Sequence, residues 1–244
     1  MQMLHNNPTD NVKPPQPKDY EIKVWDAETS SAFLEAIKNE SIYLPVLIAL
    51  QTGMREGEVC ALKWDSIDLE RKNLYVKHTL KRDSENEIEL KAPKTKRSKR
   101  NIKLMDETVK ELRHQKNIHR LNKIVLGKDY KDDEYVCAWP DGRVIDPHYV
   151  CSRFVKLVKK YGFPELTFHG LRHTHATLLL LAGVHPKVVS ERLGHSSITI
   201  TLDLYSHVLP DMQQEAVDKL SLVLNNKKQS SLQEKSKLTF SSDL

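Results

Sequence analysis

Three stretches of this 244-residue chain hold side chains whose types and spacing suit work on an anion. In TFHGLRHTHATLLLLAG, His169 and Arg172 stand three residues apart at the opening of an apolar run, so on a helix they share one face. A helix N-terminus adds unpaired N–H groups and the positive end of a dipole, and an arginine and a histidine placed there make a natural cradle for a phosphate. Downstream, LGHSS carries His195, and Tyr205 follows ten residues later in TLDLYSH. Far upstream, LQTGMREGEVCALKW carries Arg55, with Gly57 and Glu58 behind it. A guanidinium is a planar fork of donors that stays charged at any physiological pH, which suits it to gripping phosphoryl oxygens. Taken singly, each residue also has an ordinary use. HxxR can be a solvated helix start, a lone histidine a cap or core group, a tyrosine a half-buried core ring, and Arg55 with Glu58 a surface ion pair.

Between these stretches lies KAPKTKRSKRNIKL, where Lys91, Lys94, Lys96, Arg97, Lys99 and Arg100 place six cations within ten residues. Flanked by strand-like segments it reads as a basic hairpin, although a charge run is commonly no more than a solvated loop. The net charge of +5 permits nucleic-acid binding without requiring it. With 39% hydrophobic and 29% charged residues the chain has the composition of a folded globular domain, long enough to bury a core unaided. Cys60, Cys137 and Cys151 are far apart and form no CxxC pair, so neither a disulfide framework nor a cysteine zinc site is implied. No apolar run approaches the roughly 20 residues that span a bilayer, and MQMLHNNPTDNVK has no apolar secretory segment.

The elements that must position these groups follow from pattern. Pro8, Pro14, Pro15 and Pro17 interrupt a polar stretch, so residues 1–24 read as a linker. Asp26 is a natural N-cap for a helix with Phe33, Leu34 and Ile37 on one face, and SIYLPVLIALQ forms a second helix with Pro45 in its first turn. A short third helix runs through Glu58 and Leu62. WDSIDL, NLYVKHTL, EIELKAP and RNIKLM then alternate as four strands of a small antiparallel sheet. Asp106 caps a long helix carrying Val109, Leu112, Ile118 and Leu121, and DEYVCAW with PDG forms an extended segment and turn. Later helices are expected over about 147–160, 170–182, 186–193 and 197–204, with Gly162, Gly183 and Gly194 at their ends. An amphipathic helix over about 211–224 and a flexible tail over 225–244 complete the chain.

Read together, the motifs resemble the tyrosine recombinases of phages and integrative conjugative elements. TGMREGEVCALKWDSI is similar to the family's first arginine box through Trp64 and Ile67, and HxxR, then LGH, then tyrosine occur in the family's order. The resemblance spans about residues 26–210 and implies an α+β, mainly α, tyrosine-recombinase catalytic domain over 25–224. It implies that Arg55 and Arg172 clamp a DNA phosphate, His195 donates a further hydrogen bond, Tyr205 attacks the phosphorus and His169 is general base. Lys94, in a PKTxxSxR hairpin, matches the family's catalytic lysine and general acid, with Lys96 the rival assignment; Lys91, Lys96, Arg97, Lys99 and Arg100 are expected DNA contacts. The partner implied is double-stranded DNA, bound as a homo-tetramer by a chain that can be monomeric when free. No metal, ATP or other cofactor is implied, and the place of action is the bacterial cytoplasm at the nucleoid. NNPTDNVKPPQPK resembles the family's interdomain linker, so the chain is expected to be a fragment beginning at that junction.

Three other readings compete. A type IB topoisomerase uses the same residue types, but the LGH spacing and the PKT hairpin favour an integrase. A regulatory DNA-binding module would have lost catalytic positions that are intact here. A metal hydrolase built on His169, His173, His175 and His195 lacks accompanying acidic ligands, and His173 and His175 diverge on a helix.

Overall fold

The computed structural model describes residues 22–83, 85, 87–92, 98–208, 217, 220 and 221, and of 205–208 the backbone alone. The expected linker before residue 22, most of the helix expected over 211–224 and the tail from 225 lie outside the described residues.

Asp26 caps α1 (Ala27–Ala36) as its type suggests, its Oδ1 accepting from Thr29 N at 2.7 Å. Every residue of α2 (Tyr43–Thr52) except Tyr43 is buried, as expected of a helix apolar all round, and this helix forms the centre of the domain. α2 ends at Gly53, whose φ of +70° lets its N–H return to Ala49 O at 2.9 Å. The short α3 (Glu56–Cys60) follows at once, so Arg55 sits in the corner between two helices.

The β region departs from expectation in one respect. NLYVKHTL is not one strand but two, β2 (Asn73–Val76) and β3 (Thr79–Arg82), separated at Lys77 and His78. β2 lies between β1 (Ile67–Asp68) and β5 (Arg100–Lys103) in an antiparallel three-stranded sheet, while β3 leaves it to pair with β4 (Ile88–Lys91). The small antiparallel sheet is therefore two. β4 is exposed along its length, and residues 93–97 between β4 and β5, with Lys94, Lys96 and Arg97, lie outside the described residues.

α4 (Asp106–Leu126) starts one residue differently from expectation: Met105 is its N-cap, and the Asp106 carboxylate pairs with Lys72 instead of capping the helix. The DEYVCAW segment bridges Lys63 to Tyr135 and Ala138 to Val144, closing the PDG turn through Trp139 N to Arg143 O at 2.8 Å. α5 (Pro147–Lys160) and α7 (Pro186–Leu193) both open on proline, whose missing N–H costs nothing there, and both fall at the expected bounds. Between them α6 (Phe168–Leu181) is capped by Thr167 Oγ1, which accepts from Gly170 N at 3.1 Å. α8 (Thr199–Val208) carries Tyr205.

Trp25, Phe33, Phe154, Phe163 and Phe168 interlock as tilted and edge-on rings at the heart of the main core. A second cluster, Ala176, Leu180, Val189, Leu193 and Leu204, joins α6, α7 and α8. α8 is thus held by its own apolar face. No helix among the described residues is long and apolar enough to cross a membrane.

Candidate active site

The site is assembled from four places in the chain that α2 and α6 bring side by side. Arg55 precedes α3 and is secured by Glu58, whose Oε2 accepts from Arg55 N at 3.0 Å and whose Oε1 accepts from Arg55 Nη1 at 3.0 Å. The Arg55 side chain stays 38% exposed, so the tether orients the guanidinium while leaving it open to a ligand. Arg172, on the first turns of α6, is 3% exposed. Its Nη1 donates to the carbonyl of Gly53 at 2.7 Å, and its Nη2 is buried with no partner among the described residues.

That orphan donor matters because native proteins pair nearly all buried polar groups, and an unpaired guanidinium nitrogen is costly. Burial, then the guanidiniums of Arg55 and Arg100, lower the Arg172 pKa to about 9, so it is still a cation at neutral pH but one in an environment that wants negative charge. His169 stands two residues inside α6, its ring edge-on to His173 with centroids 5.0 Å apart. Burial first, with Arg172 and Arg55 adding to it against the opposing carboxylate of Glu56, lowers the His169 pKa, so the ring is neutral and able to accept a proton. His195, just past the C-cap Gly194 of α7, is brought down to about 3 by burial and then by Arg172, Arg55, His173 and Arg100. The charges of Arg172 and Arg55 thus act on both His169 and His195, which places the two rings in the same cationic neighbourhood.

Arg100, an expected DNA contact, turns inward. Its side chain is 5% exposed and its donors are used: Nη2 to Glu58 Oε2 at 2.9 Å, Nη1 to Glu58 Oε1 at 3.1 Å and to Ser98 O at 3.1 Å, Nε to Arg192 O at 2.7 Å. Burial alone would raise the Glu58 pKa, but the Arg100 hydrogen bonds and the charges of Arg100 and Arg55 outweigh it and hold the carboxyl below its ordinary value. Behind this lies a second buried link. His175 Nδ1 donates to Leu50 O at 2.8 Å, since a carbonyl can only accept, so Nε2 is free to accept from Arg192 Nε at 3.1 Å. Arg192 Nη2 then reaches Gln51 O at 3.0 Å and Lys103 O at 3.2 Å.

Of the remaining expected contacts, Lys91 pairs with Glu89 at 2.7 Å on exposed β4. Lys99 is exposed and lines, with Lys187, Ser190, His195 and Ser197, a cleft of about 560 Å³ beside the pocket. The Tyr205 side chain, like Lys94, Lys96 and Arg97, lies outside what is described, although its backbone places it on α8. Sequence reasoning missed Arg192, and saw Glu58 only as a partner for Arg55 and His175 only as a doubtful ligand. The signals were present: His175 is three residues beyond Arg172 on α6 and so faces the same side, and Arg192 directly precedes the LGH motif. Among the described residues no three His, Cys, Asp or Glu side chains converge as metal ligands would.

Known proteins resemble this chain in sequence and fold. The phage integrase family profile matches residues 23–212. A tyrosine recombinase XerC-like protein of Caldanaerobacter subterraneus subsp. tengcongensis is 34% identical over 219 residues, covering 85% of this chain and 56% of its own. The ICEBs1 integrase of Bacillus subtilis is 30% identical over 226 residues, covering 91% of this chain and 61% of its own. The chain thus spans only part of the length of these relatives. A structure of the Tn1549 transposon integrase in complex with transposon right end DNA superposes with a TM-score of 0.73 at 27% identity, covering 89% of this chain and 73% of that one.

Proposed function

The chain belongs to the phage integrase family, and from that premise we propose that it cuts and rejoins double-stranded DNA at specific sites through a 3′-phosphotyrosyl bond to Tyr205. The observation that carries this reading is the buried Nη2 of Arg172, which has no partner among the described residues and is set among the cations Arg55 and Arg100 with its sister Nη1 fixed on Gly53. Such a donor calls for an anion, and a DNA phosphate reached through exposed Arg55 supplies one.

In the proposed reaction the Tyr205 phenol oxygen bonds to phosphorus and the bond from phosphorus to the 5′-oxygen breaks. The phenolic proton passes to His169, and Lys94 gives a proton to the departing 5′-oxygen, with Lys96 the rival donor. Charge builds on the non-bridging oxygens, where Arg55, Arg172 and His195 donate. Burial and neighbouring cations keep His169 neutral before DNA arrives; the bound phosphate then returns negative charge to the pocket and strengthens the ring as a base. Because the phosphodiester energy is retained in the tyrosyl ester, a 5′-hydroxyl from another strand reverses the step and seals the DNA. The route asks for no metal and no nucleotide.

Lys91, Lys96, Arg97 and Lys99 would contact flanking phosphates, which give salt-dependent affinity without sequence information. A homo-tetramer on DNA, acting at the nucleoid of a bacterial cytoplasm to integrate or excise a mobile element, completes the reading. The test is a pool of nicked duplexes, randomised around the nick, incubated with the protein and denatured. A covalent adduct is expected for the wild type and absent from Arg172→Lys, whose compact ammonium lacks the planar fork by which the guanidinium spans Gly53 and the phosphate. No adduct from the wild type, or an undiminished one from Arg172→Lys, overturns the proposal.

A further inference from the structure

On helix α8 the hydroxyl of Thr201 reaches Nδ1 of His195, in the LGH loop, at 2.8 Å. Thr201 is fully buried, and this is its one side-chain hydrogen bond among the described residues. The direction of the bond follows from counting protons. If Thr201 accepted a proton from Nδ1–H, its own O–H would point into a closed interior with no acceptor among the described residues, the costly way to leave a hydroxyl. If it donates, the proton is used and the spare lone pairs are the lesser loss. The imidazole is neutral, because burial and then Arg172 and Arg55 bring its pKa down to about 3, so it carries one proton only. With Nδ1 accepting, that proton is on Nε2.

We propose that Thr201 is a positioning residue: its hydroxyl fixes His195 as the Nε2–H tautomer, the form able to donate to a phosphate held by Arg55 and Arg172. The inference rests on the function proposed above. Thr201 precedes Tyr205 by four residues on α8 and so lies on the same helical face. Docking of α8, which buries Thr201 and seats Leu204 in the second apolar cluster, therefore sets the nucleophile's helix and the His195 donor in one event. When α8 departs, the hydroxyl departs with it and the ring is free to exchange tautomers. The donor and the nucleophile are switched together.

The experiment uses the whole chain labelled with ¹⁵N-histidine, where long-range proton–nitrogen correlations assign His195 by comparison with His195→Gln. Wild type and Thr201→Ser are expected to show the Nε2–H tautomer, and Thr201→Val, which keeps shape and burial, a mixture. In the adduct assay Thr201→Val slows covalent capture by about 10- to 100-fold while Thr201→Ser stays near wild type. An Nδ1–H ring in the wild type, an unchanged ring in Thr201→Val, or a changed ring with an unchanged capture rate overturns the inference. Should Thr201→Val fail to fold, the wild-type and Thr201→Ser spectra still decide the tautomer. A wild type showing the expected ring but capturing no DNA overturns the proposed function and leaves the tautomer assignment standing.

Discussion

Glu58 holds Arg100 by both carboxylate oxygens, at 2.9 and 3.1 Å, while Oε1 also accepts from the Arg55 guanidinium at 3.0 Å. A buried carboxylate thus anchors one guanidinium deep in the core and aims another at the ligand. Glu58 and Arg100 are 3% and 5% exposed, so solvent does not screen the pair. Removing one partner of a buried pair strands the other, at about 3–5 kcal/mol. Glu58→Ala is therefore expected to lower the unfolding free energy read from urea titration by that amount and to free Arg55, and an unchanged midpoint would contradict the assignment.

The neutral His175 predicts acid sensitivity. Burial first, and then Arg192, bring its pKa from an ordinary 6.5 to about 3, against a smaller rise from the Leu50 carbonyl. The folded state therefore binds fewer protons than the unfolded chain between those values. Its contribution to stability is whole above pH 6.5 and is lost as the pH falls towards 3, at about 1.4 kcal/mol per pH unit. Urea titrations at pH 7.5 and 5 should show this loss, and His175→Gln should show a slope smaller by about one proton.

Gly53 carries two duties that a methyl group would spoil. At φ +70° an L-residue is strained, and an added Cβ would collide with Leu193 Cδ2 and meet His175 Cδ2 at 2.7 Å. Its carbonyl is also the seat of Arg172. Gly53→Ala is expected to cost at least about 1 kcal/mol in thermal unfolding and to depress DNA capture beyond what the stability loss explains. A variant with wild-type stability and capture would contradict the role given to this corner.

Local chemistry made much of the fold legible, and tertiary choice hid the rest. Pro147 and Pro186 marked helix starts because proline suits the first turn, and Gly194 marked an end because it accepts a positive φ. The break in NLYVKHTL was not legible, because the alternation of side chains continues through it while the hydrogen-bonding partner changes from β5 to β4. Asp106 looked like a cap, but Lys72, brought near by the β region, gave its carboxylate a different partner. Arg100 was misjudged for a related reason. The charge run suggested exposure, yet two-residue alternation with buried Ile102 had already put Arg100 on the inward face of β5.

The most direct measurement identifies the bond itself. Adduct from the nicked duplexes is digested with nuclease and protease, and the nucleotide-bearing peptide is sequenced by mass spectrometry. The result expected is a single nucleotide joined through its 3′-phosphate to Tyr205, formed equally in EDTA and absent from Tyr205→Phe. A nucleotide on another residue, a 5′-linkage, or an adduct that survives Tyr205→Phe would contradict it.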